Sequence, residues 1–282
     1  FLQLSEDATA DWLDALMGSI DSGRVDAALA RGPPGDIVAR ECDNPNGTIT
    51  RETLQCLDGM RWLNDRVIDA FFGRLEEKYA GVRRLGAHFY TKLANDGPEE
   101  ESLRRWIRRW GPELPSRIIF PVHMSLCHWG LVLVVAPPDE GSVGMLTFFD
   151  SGERWSTREQ AMARLRLVQR WLDITPLFAR WKGRWQLRIG ECTQQEDQSS
   201  CGVFVCANAL RAAAGWPCST RLTFDESLLP RFRRFVAHCI LDDDEDDRPT
   251  GDGGVPISPA AVTSATSRPA RRCARAESAT LM

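Results

Sequence analysis

Cys201 follows a polar stretch, Thr193-Gln194-Gln195-Glu196-Asp197-Gln198-Ser199-Ser200, and opens an apolar one, Gly202-Val203-Phe204-Val205. That junction predicts a thiol at a helix N-terminus, where the partial positive charge of the helix favours a nucleophilic thiolate. Gly202 would spare an incoming carbonyl a side chain, and the backbone N–H groups of Cys201 and Gly202 would be free to bind an oxyanion. Upstream, Pro121-Val122-His123-Met124-Ser125-Leu126-Cys127-His128-Trp129 joins two β-prone runs and sets His128 at a strand start. Twenty-two residues later Phe148-Phe149-Asp150-Ser151-Gly152 ends the next run in a carboxylate. Two antiparallel strands joined through Pro137-Pro138-Asp139-Glu140-Gly141 would carry Asp150 alongside His128. A nucleophile, a base and an acid that orients the base are what acyl transfer through a thioester requires. Each residue also has an ordinary structural use, since free Cys is commonly a packed core thiol, and the constellation alone does not decide between the two.

The elements that must position these residues follow from periodicity. Apolar residues recur at helical spacing over Trp62 to Tyr79, Leu103 to Trp110 and Thr157 to Leu172, with Thr157 as N-cap, and again over Cys201 to Ala214 and Glu226 to Ile240. β-rich runs lie at His88 to Thr91, Arg117 to Val122, His128 to Val135, Met145 to Phe149 and Trp185 to Ile189. Helices flanking and interrupting a central set of strands predict one α+β domain over Asn46 to Ile240. Residues 1–45 are an N-terminal extension with one amphipathic helix, about Ala10 to Leu29, presenting Trp12, Leu13, Leu16, Met17 and Ile20 to the body or to a partner. Residues 241–282 begin with six consecutive acids and continue rich in Gly, Pro, Ser, Thr and Ala, which predicts a disordered tail.

Six blocks in one order carry a resemblance. Trp62-Leu63-Asn64-Asp65 with Val67 and Ile68, His88-Phe89-Tyr90-Thr91-Lys92-Leu93, Pro121-Val122-His123, His128-Trp129, Phe149-Asp150-Ser151, and Gln195 six residues before Cys201-Gly202-Val203-Phe204 resemble the ubiquitin-like-protein protease family, the SUMO or sentrin-specific cysteine proteases. The resemblance implies a papain-like fold in circularly rearranged order, with a central mixed, largely antiparallel sheet flanked by helices. It implies His128 as general base, Asp150 as its orienting carboxylate, Cys201 as nucleophile and Gln195 as a side-chain oxyanion donor. It further implies Trp62 and Trp129 as walls of a narrow tunnel for a Gly-Gly C-terminus, and Asp65 as a partner for a basic residue on the modifier. Read without the resemblance, the two tryptophans are core aromatics and Asp65 is a solvated acid in a first helical turn. The implied activity is cleavage after the Gly-Gly of SUMO, in its precursor or on lysine-linked conjugates, without a cofactor. The same machinery also serves ubiquitin or a Nedd-type modifier, and an inactive binding module is the remaining alternative. Two features depart from the family pattern: Ser200 stands where Asp is usual, expected still to cap the helix, and the loop between His128 and Asp150 is longer.

Composition excludes other classes. Lys plus Arg number 35 against 39 Asp plus Glu, a net charge of −4, so there is no general drive toward nucleic acid or an anionic membrane. Glu99-Glu100-Glu101 ahead of Arg104, Arg105, Arg108 and Arg109 is the charge order of a solvated helix face. The longest apolar run, Trp129 to Ala136, is eight residues, too short to span a bilayer. The nine cysteines form no CxxC pair, and His123 and His128 lack an HExxH setting, so no metal site is expected. Most cysteines are expected to be buried thiols of a reducing, intracellular compartment. The chain opens with Phe1 and shows no secretory signal at its start. A monomer is the default expectation, and a nuclear or cytoplasmic location is what the family resemblance and the thiols imply.

Overall fold

The computed structural model describes residues 14–18, 20–41, 44–111, 113–124, 128–139, 141–152, 156–216 and 226–242. Trp12, Leu13, Cys127 and the tail from residue 243 onward lie outside the described residues. A helical turn over 14–18 is followed by α1 (Ser22–Leu29), a hairpin of β1 (Ile37–Glu41) and β2 (Asn44–Thr50), α2 (Arg51–Leu54) and α3 (Asp65–Lys78). Then come β3 (Val82–Arg84), α4 (Phe89–Asp96), α5 (Arg104–Ile107), β4 (Arg117–Met124), β5 (His128–Val135) and β6 (Gly144–Phe149). The chain continues through α6 (Arg158–Ile174), β7 (Trp185–Ile189), α7 (Cys201–Ala213) and α8 (Leu229–Leu241).

The main sheet has the order β3-β4-β5-β6-β7, antiparallel at β4/β5 and β5/β6 and parallel at both edges. Helices cover both faces, which is why β5 reads as an unbroken apolar run rather than an alternating one. Leu131 and Leu133 face the layer built from α3, α7 and α8, while Val132 and Val134 face the layer built from α4 and α6. Pro121 lies within β4, where a missing N–H would ordinarily break a ladder. β3 pairs only with Arg117 to Ile119, so beyond that point one edge of β4 is unpaired and the proline is tolerated.

Four sequence expectations need correction. His88 to Thr91 is not a strand: Phe89 starts α4, and its ring makes edge contacts with Trp106, Phe120 and Trp171. Burial of Phe89, Tyr90 and Leu93 on one helical face outweighs the β propensity of the aromatics. The helix expected from Ala10 to Leu29 is interrupted at residues 20–21, where the Asp21 carboxylate accepts from Arg24 N and starts α1 anew. Leu103 to Trp110 is one α-turn between two 3₁₀ turns. β1, β2 and β3 were not foreseen, and β2 runs through Asn46. Thr157 does cap α6, with a complete capping box to Gln160.

The N-terminal segment docks on the body rather than standing apart. Leu16, Met17, Val25 and Ala28 are buried in the α3–α7–α8 layer, and Asp14 and Asp26 pair with Arg231 and Arg234 of α8 at 2.8 and 2.7 Å. Burial holds this segment in place more than the exposed ion pairs, which contribute little individually.

Gly190, directly after β7, lies against the strand that delivers Asp150. A Cβ there would run into the Phe149 ring, which is 2% exposed, and into Thr147 Cγ2 at 2.8 Å. Gly190→Ala is expected to destabilise the protein by about 1–3 kcal/mol through overpacking. Urea unfolding should show this as a lower midpoint at unchanged slope; an unchanged midpoint would mean that the strand yields freely.

Candidate active site

The β5/β6 register pairs Leu131 with Phe149, so the first residue of β5 and the residue after β6 meet at one end of the sheet. There His128 Nε2 lies 2.7 Å from Asp150 Oδ1, with both side chains less than a tenth exposed. Asp150 Oδ1 also accepts from Gly152 N at 2.9 Å, which fixes the carboxylate. The Cys201 thiol interacts with the same imidazole and, with Asp150, favours its charged form. Burial, the largest influence on the ring, opposes its charge. The hydrogen bonds and charges of Asp150 and Cys201 together outweigh burial and push the His128 pKa up to about 9. The stability linked to this shift is fully present below about pH 6.5, the ordinary histidine value, and is lost as pH rises through about 9.

Cys201 is the first residue of α7, a thirteen-residue helix buried along its whole length. An apolar, enclosed helix keeps its end charge poorly screened, and that end faces the thiol. Cys206, one turn further on, is fully buried, and burial pushes its thiol pKa well up. Cys192 gives its thiol proton to Asp150 O at 3.0 Å. Among the described residues, Cys56, Cys192, Cys201, Cys206 and Cys239 are thiols outside any disulfide, and no group of His, Cys, Asp and Glu could hold a metal.

Ser200 occupies the N-cap position of α7 without a side-chain capping bond. Its hydroxyl turns away to Asp197 Oδ2 at 2.6 Å, which corrects the expectation that it caps as Asp would. Asp197 grips the approach to the helix in four bonds: both oxygens are used, on the amides and hydroxyls of Ser199 and Ser200. Gln195, 8% exposed, donates from Nε2 to Asp197 O at 2.9 Å and accepts at Oε1 from Ser151 Oγ at 2.9 Å. The loop leading to the thiol is therefore stitched to the end of β6.

The segment ahead of α3 closes the other side. Asn64 caps α3 by accepting from Val67 N at 2.8 Å. Trp129 is buried and donates from its indole to Leu63 O at 3.3 Å. Trp62 is 53% exposed and donates to Gln198 O at 2.8 Å, so it is not a core aromatic, and Met60 beside it is exposed as well. A Cβ at Gly202 would sit 2.8 Å from Leu63 Cβ. The glycine thus lets α7 pack against this segment, rather than sparing a carbonyl as expected from sequence. Asp65 pairs with His88 at 3.0 Å on the rim. His123 is exposed, faces the Trp129 ring at 4.5 Å and has its pKa lowered, mainly by burial of the ring. The sequence reading missed Asp197, Ser151 and Asn64; the Asp-x-Ser-Ser spacing, a turn pattern in which a carboxylate reaches amides two and three residues on, was the available signal for the first.

Residues 61–244 match the Ulp1 protease family, C-terminal catalytic domain. The chain belongs to this family. That range contains Trp62, Asp65, His128, Trp129, Asp150, Gln195 and Cys201. The chain is 27% identical over 225 residues to ubiquitin-like-specific protease 1 of Saccharomyces cerevisiae, covering 79% of this chain and 34% of that protein. It is 26% identical over 224 residues to sentrin-specific protease 2 of Rattus norvegicus, covering 77% and 36%. It therefore spans about a third of the length of these relatives. The solved C-terminal Ulp1 protease domain in complex with Smt3, the yeast ortholog of SUMO, is 25% identical with a TM-score of 0.66, over 86% of this chain and 97% of that one. The SUMO protease Ulp1 with its catalytic cysteine oxidised to a sulfinic acid superposes with a TM-score of 0.65 at 27% identity, over 81% and 98%. The papain-like α+β fold is thus that of the Ulp1 domains, and among the described residues no helix is long and apolar enough to cross a membrane.

The Asp197 grip yields a local test. Asp197→Ala is expected to cost about 1–3 kcal/mol, because the buried Ser200 loses both its partners. Amide hydrogen exchange at residues 199 and 200 should quicken. Native stability with native exchange would show that these bonds carry no weight.

Proposed function

We propose that this chain is a cysteine protease and isopeptidase that cleaves after the C-terminal Gly-Gly of SUMO, in its precursor and on lysine-linked conjugates. One observation carries the reading: the buried His128–Asp150 pair with Cys201 on the same imidazole, at the N-terminus of α7. Similarity to the Ulp1 domain solved in complex with Smt3, the yeast ortholog of SUMO, and to sentrin-specific protease 2 supports SUMO as the modifier. The nucleus or cytoplasm, where SUMO conjugates occur, belongs to the same reading.

The proposed steps are these. The Cys201 thiolate attacks the carbonyl carbon of the terminal glycine, and the negative charge moves to the carbonyl oxygen. Gln195 Nε2 and the Cys201 amide are the donors for that oxygen, each of the kind worth about 10²–10³ in rate. Protonated His128 gives its proton to the departing lysine amine, leaving a thioester on Cys201. His128 then takes a proton from water as the water attacks the thioester, which expels the Cys201 thiolate, releases the modifier's C-terminal acid with its proton passing to solvent, and restores the thiolate–imidazolium pair. Asp150 holds the ring in one orientation throughout. Trp62 and Trp129 are the walls of the channel for the Gly-Gly tail, and Asp65 with His88 sits on the rim where the modifier's body would lie.

Precursors of SUMO, ubiquitin and a Nedd-type modifier, each with a short extension after Gly-Gly, test this together. The native chain should process the SUMO precursor fastest, Cys201→Ala should process none, and Cys206→Ser should stay active. Asp150→Asn should lose several orders of magnitude, since the comparable change in a serine triad costs ~10⁴. SUMO cleavage by Cys201→Ala would refute the mechanism, and preference for another modifier would refute the substrate.

A further inference from the structure

The oxyanion donor assigned to Gln195 raises a question of orientation. A carboxamide has nearly the same shape with its oxygen and nitrogen exchanged, and only its partners decide which end points where. On the Gln195 side chain, Asp197 O accepts at 2.9 Å and can take only the NH₂ end. That leaves Oε1 buried and in need of a donor, and the Ser151 hydroxyl supplies it at 2.9 Å from a residue 4% exposed. Ser151 also accepts the Gln195 backbone N–H at 2.7 Å, so one residue holds both the main chain and the amide of Gln195. Nε2 retains a second N–H for a substrate oxygen.

We propose that Ser151 is a positioning residue for the reaction, fixing the Gln195 amide so that its free N–H faces the developing oxyanion. The proposal rests on the activity assigned above. It adds that the end of β6 sets two parts of the site at once. Asp150 orients the base, and the next residue orients the oxyanion donor. Without the hydroxyl, Oε1 is a buried acceptor with no partner, a loss that outweighs a single weak hydrogen bond. The amide then rotates toward other donors and surrenders the geometry on which transition-state stabilisation depends.

A double-variant cycle separates this role from a merely structural one. The chains are native, Ser151→Ala, Gln195→Ala and the pair, assayed on SUMO, ubiquitin and Nedd-type modifiers carrying a C-terminal fluorogenic amide. Binding of the cleaved SUMO product and alkylation of Cys201 by iodoacetamide, a displacement that develops no oxyanion, report an intact site. Ser151→Ala is expected to lower kcat by about tenfold or more, part of the 10²–10³ that a whole donor supplies, with KM, product binding and alkylation near native. In the Gln195→Ala background the Ser151 change should cost nothing further, because there is no amide left to orient. Native kcat in Ser151→Ala, or losses that multiply in the double variant, would overturn the proposal while leaving the activity standing. A native chain inert toward all three amides would overturn the activity itself, and this proposal with it.

Discussion

A carboxylate buried against an imidazole is the constraint on which the rest of the site depends. Burying Asp150 would be costly without partners, and it has two: the His128 ring at 2.7 Å and the Gly152 amide at 2.9 Å. The pair can form only if β5 and β6 keep their register. A slip of one residue would turn every side chain of β6 to the other layer, sending Phe148 and Phe149 into the wrong cores. The two apolar layers that fix this register therefore also fix the base. Packing determines where the two strand ends meet, and the Asp150 carboxylate then orients the imidazole.

The thiol comes from a distant part of the chain and is brought in by a different device. α7 packs between the sheet and α3, with Gly202 allowing close approach to Leu63. The loop ahead of it is tied down by a chain of polar bonds, from Asp150 O and Ser151 through Gln195 to Asp197 and the two serines, with Cys192 buried in the core at its start. Trp62 joins the same loop to the segment before α3 by its bond to Gln198 O. The exposed Trp62 indole and the exposed Met60 two residues before it present apolar surface of the kind that marks recognition sites. The departure at Ser200 thus comes with a carboxylate three residues earlier, at Asp197, that grips the same turn. A negative charge is present in this loop, but it acts on amides rather than capping the helix.

Much of this arrangement was legible in the residues. β5 and β7 have the boundaries read from their apolar runs, α6 begins at the Thr157 cap, and α7 begins at Cys201. These elements have strong local signals that tertiary packing reinforces. The misread elements are those where packing overrode local preference. Phe89 and Tyr90 favour strands yet form α4, because three aromatic rings surround Phe89. β3 is three residues long and defined by its partner β4, so its own sequence carries almost no signal. Within the site, Cys201, His128 and Asp150 could be picked out by type and spacing, whereas Gln195, Trp62, Trp129 and Asp65 were drawn from the resemblance. The residues that hold them, Ser151 and Asp197, were not legible, because a hydroxyl or carboxylate gains that role only from the atoms the fold places beside it.

The central claim is that Asp150 keeps the buried His128 ring charged and aimed at Cys201. Its most direct test is an NMR titration of the imidazole resonances of His128 in the native chain and in Asp150→Ala. The native ring should titrate near pH 9, and removing the carboxylate should lower its midpoint clearly, since burial is then opposed by Cys201 alone. A native midpoint near 6.5, or one that Asp150→Ala leaves in place, would contradict the account.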